Sequence, residues 1–396
     1  MLPSIGWYLL VGLVAAGVTA AATLPARAIA TRVGYVDIPT DRKMHEQVTP
    51  YGGGGAMFIG VCAAMTAAAV IPALRPIFTA SDEAMGVLIA AAAIFVVGLV
   101  DDFREMSAPA KIAGQVLAAS ILYFAGVTMY QLKLPFAGFV VLTPGVIPLI
   151  TAVWVVALTN AINLIDGLDG LAAGLVAIGA GALAVYGLRL EYYGDLPTTN
   201  IGPLVAVIAC GICLGFLPFN FHPAKIFMGD AGALLLGLLM SASTMVIGGR
   251  TPPVSGVTFF FFAPLFIPFF ILGVPLVDAG FAFIRRTAKG QGFHAPDKDH
   301  IHHRLLRLGH GHRRTVVILW AWTALLSAFV LYPLFKPQAN PFVAFVALAA
   351  GIGLYTWFHP GLRQQPEDQG EEIEPPPAPE GAQAGGGFGA SGSEVQ

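Results

Sequence analysis

Unbroken apolar runs, rather than any alternation, dominate this chain. Eleven stretches free of Asp, Glu, Lys and Arg, each at least 17 residues long, occupy 1–26, 47–74, 84–100, 112–132, 134–165, 170–188, 196–224, 231–249, 251–277, 315–335 and 337–362. Each can hold the roughly 20 apolar residues with which an α-helix crosses about 30 Å of hydrocarbon. The run 84–100 is marginal by itself, whereas 134–165 and 196–224 hold a span plus an interfacial loop. Ala and Leu are abundant and the runs do not alternate, which argues against a transmembrane β-barrel. The pattern predicts an all-α polytopic membrane protein with about 11 transmembrane helices.

Composition points the same way. Of 396 residues, 56% are hydrophobic and 11% charged, against roughly 25% charged in soluble domains. The mean hydropathy is +0.74. Too few polar residues are present to clothe a soluble core of this size, so the lipid bilayer is the expected solvent. A net charge of −2 implies no nucleic-acid partner. Cys62, Cys210 and Cys213 lie in apolar runs, too scattered for a disulfide framework or a zinc site.

Eleven spans place the termini on opposite sides, and the basic residues choose which. With the N-terminus outside, 16 of the 21 Lys and Arg fall in inner loops and 5 in outer ones. The positive-inside rule therefore puts the C-terminus in the cytoplasm. All nine histidines lie on the inner side or at its edge. The first run lacks a basic n-region and reads as a span, not a cleaved signal peptide. Residues 1–362 thus read as one polytopic domain, with a His/Arg-rich cytoplasmic loop at 284–314 inside it. Residues 364–396, rich in Pro, Gly and Glu, read as a disordered acidic cytoplasmic tail. There is no fixed-period repeat and no sign of an inverted repeat.

Candidate chemistry concentrates at the inner ends of the spans. The loop GYVDIPTDRKMHEQVTPYGGGG (34–55) joins Asp37, Arg42, Lys43 and His45 to a glycine run whose backbone can approach an anion. Asp101 and Asp102 end the third run, with Arg104 and Lys111 after them. Paired carboxylates at such a place suit a hard divalent ion or a general base, and otherwise merely mark the interface. Asn160, Asn163, Asp166 and Asp169 recur every third residue, with Gly167 and Gly170 directly after the two acids. On one helix they would share a face and project into one site. Asn220, Lys225, Phe227 and Asp230 precede the eighth run, where Asp230 alone could be an N-cap. The loop 284–314 carries His294, His300, His302, His303, His310 and His312 among many Arg. His density suggests zinc, but without cysteines a His/Arg field fits phosphate better. Asp278, an acid within apolar sequence, joins the candidates. Carboxylates for a metal and cations for phosphate are the two requirements of phosphoryl transfer.

Together these segments resemble the polyprenyl-phosphate N-acetylhexosamine-1-phosphate transferases (glycosyltransferase family 4). The likeness runs from about residue 30 to 314. It is carried by the 37–45 segment, DDFREMSAPAK (101–111), NAINLIDGLDG (160–170), FNFHPAKIFMGDAG (219–232) and HIHHRL (300–305). HIHHRL is similar to the WecA/TagO-like branch that uses UDP-GlcNAc; the phospho-MurNAc-pentapeptide transferases of peptidoglycan synthesis rank second. The resemblance implies that undecaprenyl or decaprenyl phosphate attacks the β-phosphorus of a UDP-sugar, releasing UMP. That is the first membrane step of cell-wall or surface-polysaccharide synthesis, at the cytoplasmic face of the plasma membrane. It implies Mg²⁺, with Mn²⁺ an alternative, on Asp230 with help from Asp101 and Asp102. Those two Asp would also bind or deprotonate the lipid phosphate. Lys111, with Lys43 and His45, would meet phosphate. Asp166 and Asp169 would face the nucleotide, Phe227 would stack on uracil, and Asn220 would bond nearby, with Asn160 and Asn163 lining the site. His300, His302, His303 and Arg304 would hold diphosphate or sugar, with His302 catalytic and Asp278 close by. A homodimer is compatible with this reading. Two other classes stay open at this level: a transporter of a phosphorylated solute, supported by Pro264, Pro268 and Pro275 in one run, and a metal-binding sensory protein.

Overall fold

A computed structural model of the protein describes residues 5–37, 48–134, 138–250, 311–335 and 342–358. Among these, the helices are α1 (Ile5–Val33), α2 (Gly53–Val70), the short α3 (Arg75–Thr79), α4 (Glu83–Phe103), α5 (Ala108–Phe124), α6 (Ile147–Ile165), α7 (Leu171–Tyr193), α8 (Gly202–Asn220), α9 (Gly229–Gly248), α10 (His312–Phe335) and α11 (Phe342–Phe358). Ten of the eleven apolar runs coincide with one of these helices; the run 251–277 lies outside the described residues. Eight of the helices are long and apolar enough to cross a membrane, and α5 and α11 are shorter apolar helices. Rows of apolar side chains, such as Leu9, Leu13 and Leu24 on α1 and Val96 and Val100 on α4, are exposed on the outside of the described helices. The chain is a multi-pass, mostly helical membrane protein.

Two small hairpins depart from the all-helical expectation. Strands β1 (Val36–Asp37) and β2 (Thr49–Pro50) pair antiparallel, with Val36 opposite Pro50. So do β3 (Gln131–Leu134) and β4 (Gly138–Val141), with Gln131 opposite Val141. They sit in connections, too short to register in a hydropathy pattern.

Helix α9 is the axis of the bundle. Its sequence is apolar on every side, as a helix surrounded by protein requires, and nearly every residue from Ala231 to Ile247 is buried. Helices α2, α4, α6, α7 and α8 pack around it. The hydroxyls it buries all find acceptors: Ser241 donates to the Gly237 carbonyl (2.7 Å) and Thr244 to that of Met240 (2.7 Å) within the helix, and Ser243 donates to the Gly202 carbonyl of α8 (2.8 Å). In surroundings without water, this spares α9 an unmet polar group. Close approach depends on glycine. A Cβ on Gly98 of α4 would lie 2.5 Å from the Ala231 Cα, and one on Gly54 of α2 would lie 2.4 Å from the Gly232 nitrogen. Among the described residues, the connections that the charge pattern assigns to the inner side, those before α2, after α4, between α6 and α7 and before α9, meet at one end of this bundle around the first turn of α9.

Candidate active site

Three helix ends build the centre of that face: the last turn of α4, the first turn of α5 and the start of α9. Lys111 enters α5 one turn in and lies between two carboxylates. Its Nζ is 2.6 Å from Asp101 Oδ2 and also donates to Asp230 Oδ2. Asp101 is held from the other side, its Oδ1 accepting from the Met106 N–H at 2.7 Å. Asn163, near the end of α6, closes the group. With its amide turned to satisfy both neighbours, its nitrogen donates to Asp230 Oδ1 (3.0 Å) and its oxygen accepts from Lys111 Nζ (2.9 Å). Two carboxylates and an amide oxygen thus surround one positive charge, and the Asp230 side chain stays 30% exposed. Hard oxygen donors at an open edge are a set that fits a hard divalent cation.

Asp102 faces elsewhere. Its Oδ1 accepts from the Asp230 N–H (2.7 Å) and its Oδ2 from the Ala231 N–H (3.1 Å), both in the first turn of α9. An aromatic shelf lies beside it. The ring of Tyr35 stacks on Phe103 (4.2 Å) and is followed by Tyr51 (5.3 Å), which in turn meets Phe227 (5.9 Å). The Tyr35 hydroxyl is buried beside the Asp102 carboxylate without closing a hydrogen bond of good geometry. Burial first, and then the charge of Asp102, raises the Tyr35 phenol above its ordinary value. Tyr51 is raised too, by burial and then by Asp37. Both phenols therefore keep their protons.

The Asn160–Asp169 series does not share one helical face as its spacing suggests. Helix α6 stops at Ile165, Asp166 leaves helical geometry, and Gly170, at φ +77°, starts α7. Gly170, in the left-handed region, helps turn what the spacing reads as one helix into a tight connection, so the four side chains diverge. Asn160 donates to Gln115 Oε1 of α5 (2.7 Å) and Asn163 joins the Lys111 group. Asp166 remains next to the carboxylates. Burial foremost, then the charges of Asp230, Asp102 and Asp169, pushes it well above the ordinary carboxylate range. Asp169 turns to a second cluster. Its Oδ2 meets His222 Nδ1 (2.7 Å) and the Ala224 N–H (3.0 Å), while the His222 ring stacks on His312 (4.2 Å). One ligand atom from each of Asp169, His222 and His312 falls within 4.8 Å of the others. The two rings are nearly parallel, 14° apart. Arg313 donates to the His222 carbonyl (3.0 Å), which fastens the start of α10 to this loop.

Asn220 is spent on the backbone. It accepts from the Gly170 N–H (3.0 Å) and donates to the Ile226 carbonyl (3.1 Å), tying the start of α7 to the loop before α9. Phe227 is partly buried; its carbonyl accepts from the Gly53 N–H (3.0 Å). The candidates Lys43, His45, Asp278, His300, His302, His303 and Arg304 lie outside the described residues. Tyr35, Tyr51 and His222 belong to this face although their charge pattern did not single them out. Their signal was position: two tyrosines flank the basic loop before the glycine run, and His222 follows Asn220 directly before Pro223.

The family described as glycosyl transferase family 4 matches residues 84–248, which span α4 to α9. Over 325 residues the chain is 42% identical to the decaprenyl-phosphate N-acetylglucosaminephosphotransferase of Mycobacterium tuberculosis, covering 80% of each chain. It is 39% identical over 366 residues to the protein of the same name from Mycolicibacterium smegmatis, covering 90% of this chain and 89% of that one. It is also 39% identical over 305 residues to a probable undecaprenyl-phosphate N-acetylglucosaminyl 1-phosphate transferase of Bacillus subtilis, covering 76% and 79% respectively.

Proposed function

The chain belongs to glycosyl transferase family 4, and on that premise we propose that it transfers GlcNAc-1-phosphate from UDP-GlcNAc to polyprenyl phosphate and releases UMP. The observation that carries this reading is the Lys111–Asp101–Asp230–Asn163 group at one open end of a membrane bundle. With a divalent cation on its carboxylates, this group would carry the net positive charge that phosphate oxygens require, Lys111 contributing one donor to them. An end of the bundle, unlike its middle, can be reached both by a water-soluble nucleotide sugar and by a lipid in the bilayer.

The reaction is a displacement at phosphorus. A phosphate oxygen of the lipid bonds to the β-phosphorus of the donor while the bond from that phosphorus to the oxygen bridging it to UMP breaks. UMP keeps that oxygen and the electron pair. Asp101, held by the Met106 N–H, would take a proton from the lipid phosphate. Lys111 holds the transferring phosphoryl group. Asp230, with Asp101 and the Asn163 oxygen, is the set that would hold Mg²⁺. The ion would offset the negative charge that gathers on the phosphoryl oxygens. Metal plus positioning accounts for catalysis by direct attack, without a covalent enzyme intermediate. Asp166 and Asp169 are assigned to the nucleotide side, with Phe227 at the base.

The basic inner loops support a cytoplasmic site, the side from which a UDP-sugar arrives. The names of the relatives favour GlcNAc over the phospho-MurNAc-pentapeptide reading. Acids at helix ends, not at mid-bundle, disfavour a transporter. The test is UMP release by the purified, detergent-solubilised protein given Mg²⁺, polyprenyl phosphate and either UDP-GlcNAc or UDP-MurNAc-pentapeptide. Release with UDP-GlcNAc is expected, falling by on the order of 10²-fold or more in Asp230→Ala. Undiminished turnover in that variant would overturn the role of Asp230, and release only with the pentapeptide donor would overturn the assigned sugar.

A further inference from the structure

We propose that Asp102, the second acid of the Asp101-Asp102 pair, is a positioning residue that clamps the first turn of α9 and thereby aims Asp230. The function of the clamp rests on the transferase reading above; its existence does not.

A helix buried along its length must still satisfy the N–H groups of its first turn. Helix α9 does not do so with its own sequence, because Met228, at its N-cap, offers no side-chain cap. The cap arrives from α4, more than a hundred residues earlier. Both Asp102 oxygens are engaged there, one by the Asp230 N–H and the other by the Ala231 N–H. Successive helical residues point about 100° apart, so Asp101 and Asp102 cannot serve one ligand alike. Asp101 turns to Lys111, and Asp102 turns to the backbone that carries Asp230.

Glycines make room for this contact. Gly229, at φ +67°, would bring an added Cβ within 2.6 Å of the Asp102 carboxylate. Gly98, one turn before Asp102, lets α4 lie against the Ala231 backbone. A second strap comes from α2, where the Gly53 and Gly54 N–H groups donate to the Phe227 and Met228 carbonyls (3.0 and 2.9 Å). Asp230 is therefore fixed through its own main chain, and Asn163 and Lys111 complete the hold on its carboxylate. This separates Asp102 from the metal and base duties that its sequence suggests.

The experiment compares wild type, Asp102→Asn, Gly229→Ala and the double variant, each taken as the monodisperse fraction in detergent. In Asp102→Asn the new amide keeps one acceptor but turns an NH₂ toward a backbone donor, so half the clamp is lost. Amide hydrogen exchange of the peptide spanning 228–232 is expected to quicken in both single variants, with or without substrate. For UMP release, kcat should fall by about 10- to 100-fold, the cost of displacing a catalytic group by an ångström or so. KM for UDP-GlcNAc should hold, and the residual activity should keep the wild-type pH profile. Gly229→Ala also carries left-handed backbone strain of its own, so the double variant should lose less than the sum of the two singles because they share the Asp102 contact. Unchanged exchange in Asp102→Asn would overturn the clamp. Loss of the acid limb of the pH profile, or additive losses in the double variant, would instead make Asp102 a catalytic residue in its own right. If Asp102→Asn does not fold, Gly229→Ala decides by the same exchange and kinetic readouts. Failure of the wild type to release UMP would sink the transferase reading while leaving the exchange result to judge the clamp.

Discussion

Asp166 lies where α6 gives way to the turn before α7, and its neighbours decide its charge. Burial and three nearby carboxylates favour its neutral form. An acid whose pKa is higher folded than unfolded holds its proton more tightly in the native state. Folding is then penalised by deprotonation as pH climbs above the ordinary carboxylate range, and the penalty is complete above the raised value. Asparagine at this position carries no such penalty. Asp166→Asn is thus expected to melt above wild type in EDTA, by a margin that widens from about pH 5 to pH 8 and vanishes near pH 4. A margin that is flat or narrows over that range would refute the assignment. The acids themselves were legible in the sequence, because ionisable groups are too costly to leave in apolar helices without use. Their partners were not. Asp102 and Asp230 are 128 residues apart, and only packing reveals that one carboxylate of an adjacent pair meets Lys111 while the other meets a backbone.

At the scale of elements, charge-free runs located the helices because the bilayer forces each crossing to satisfy its own backbone. They also located the break between α6 and α7, because the runs 134–165 and 170–188 stop and restart at Asp166 and Asp169. What the every-third spacing hid is that the chain leaves helical geometry at Asp166 and re-enters it at Gly170, φ +77°, so the four polar residues do not share a face. The two hairpins escaped because strands of two to four residues bury too little to leave a period. Contacts between helices were equally silent, since a glycine that lets two backbones touch reads like any other glycine. Gly54 and Gly17 separate the two cases. An added methyl at Gly54 meets the Gly232 backbone nitrogen at 2.4 Å, whereas one at Gly17 meets nothing within 4 Å. Gly54→Ala should therefore lower stability by about 1–3 kcal/mol through overpacking. Gly17→Ala, in the middle of α1, should leave it unchanged or raise it by up to about 1 kcal/mol. Thermal melts of the two variants in one detergent check this, and equal melting temperatures would refute the close α2–α9 packing.

At the scale of the whole molecule, the site and a buried ion-paired tether occupy opposite ends of the bundle. Arg250, just past α9, pairs with Glu83 at the start of α4 through Nη1 and Oε1 (2.6 Å). It also donates to the Gly126 carbonyl and, through Nε, to that of Thr128 (3.1 Å), with its guanidinium over the Tyr130 ring (5.2 Å). The Tyr130 and Gln131 N–H groups in turn reach the Gly249 carbonyl. One side chain thus joins α4, the end of α5, the β3–β4 hairpin and α9 at the end away from Asp230. Both partners are mostly buried, 17% and 12% exposed, so removing either strands a charge where water cannot compensate it. Arg250→Met alone should cost about 3 kcal/mol, and Arg250→Met with Glu83→Met should recover much of the loss, because the desolvation of the pair then disappears with it. Activity per folded molecule should stay near wild type in both variants, since α4 and α9, which run from this end to the catalytic one, pack against each other along the way. Melting and UMP release measured on the same preparations test both statements. A double variant no more stable than the single one would deny the ion pair its role. A fall in kcat that follows the fall in stability would show that the tether at this end sets the position of Asp230 at the other.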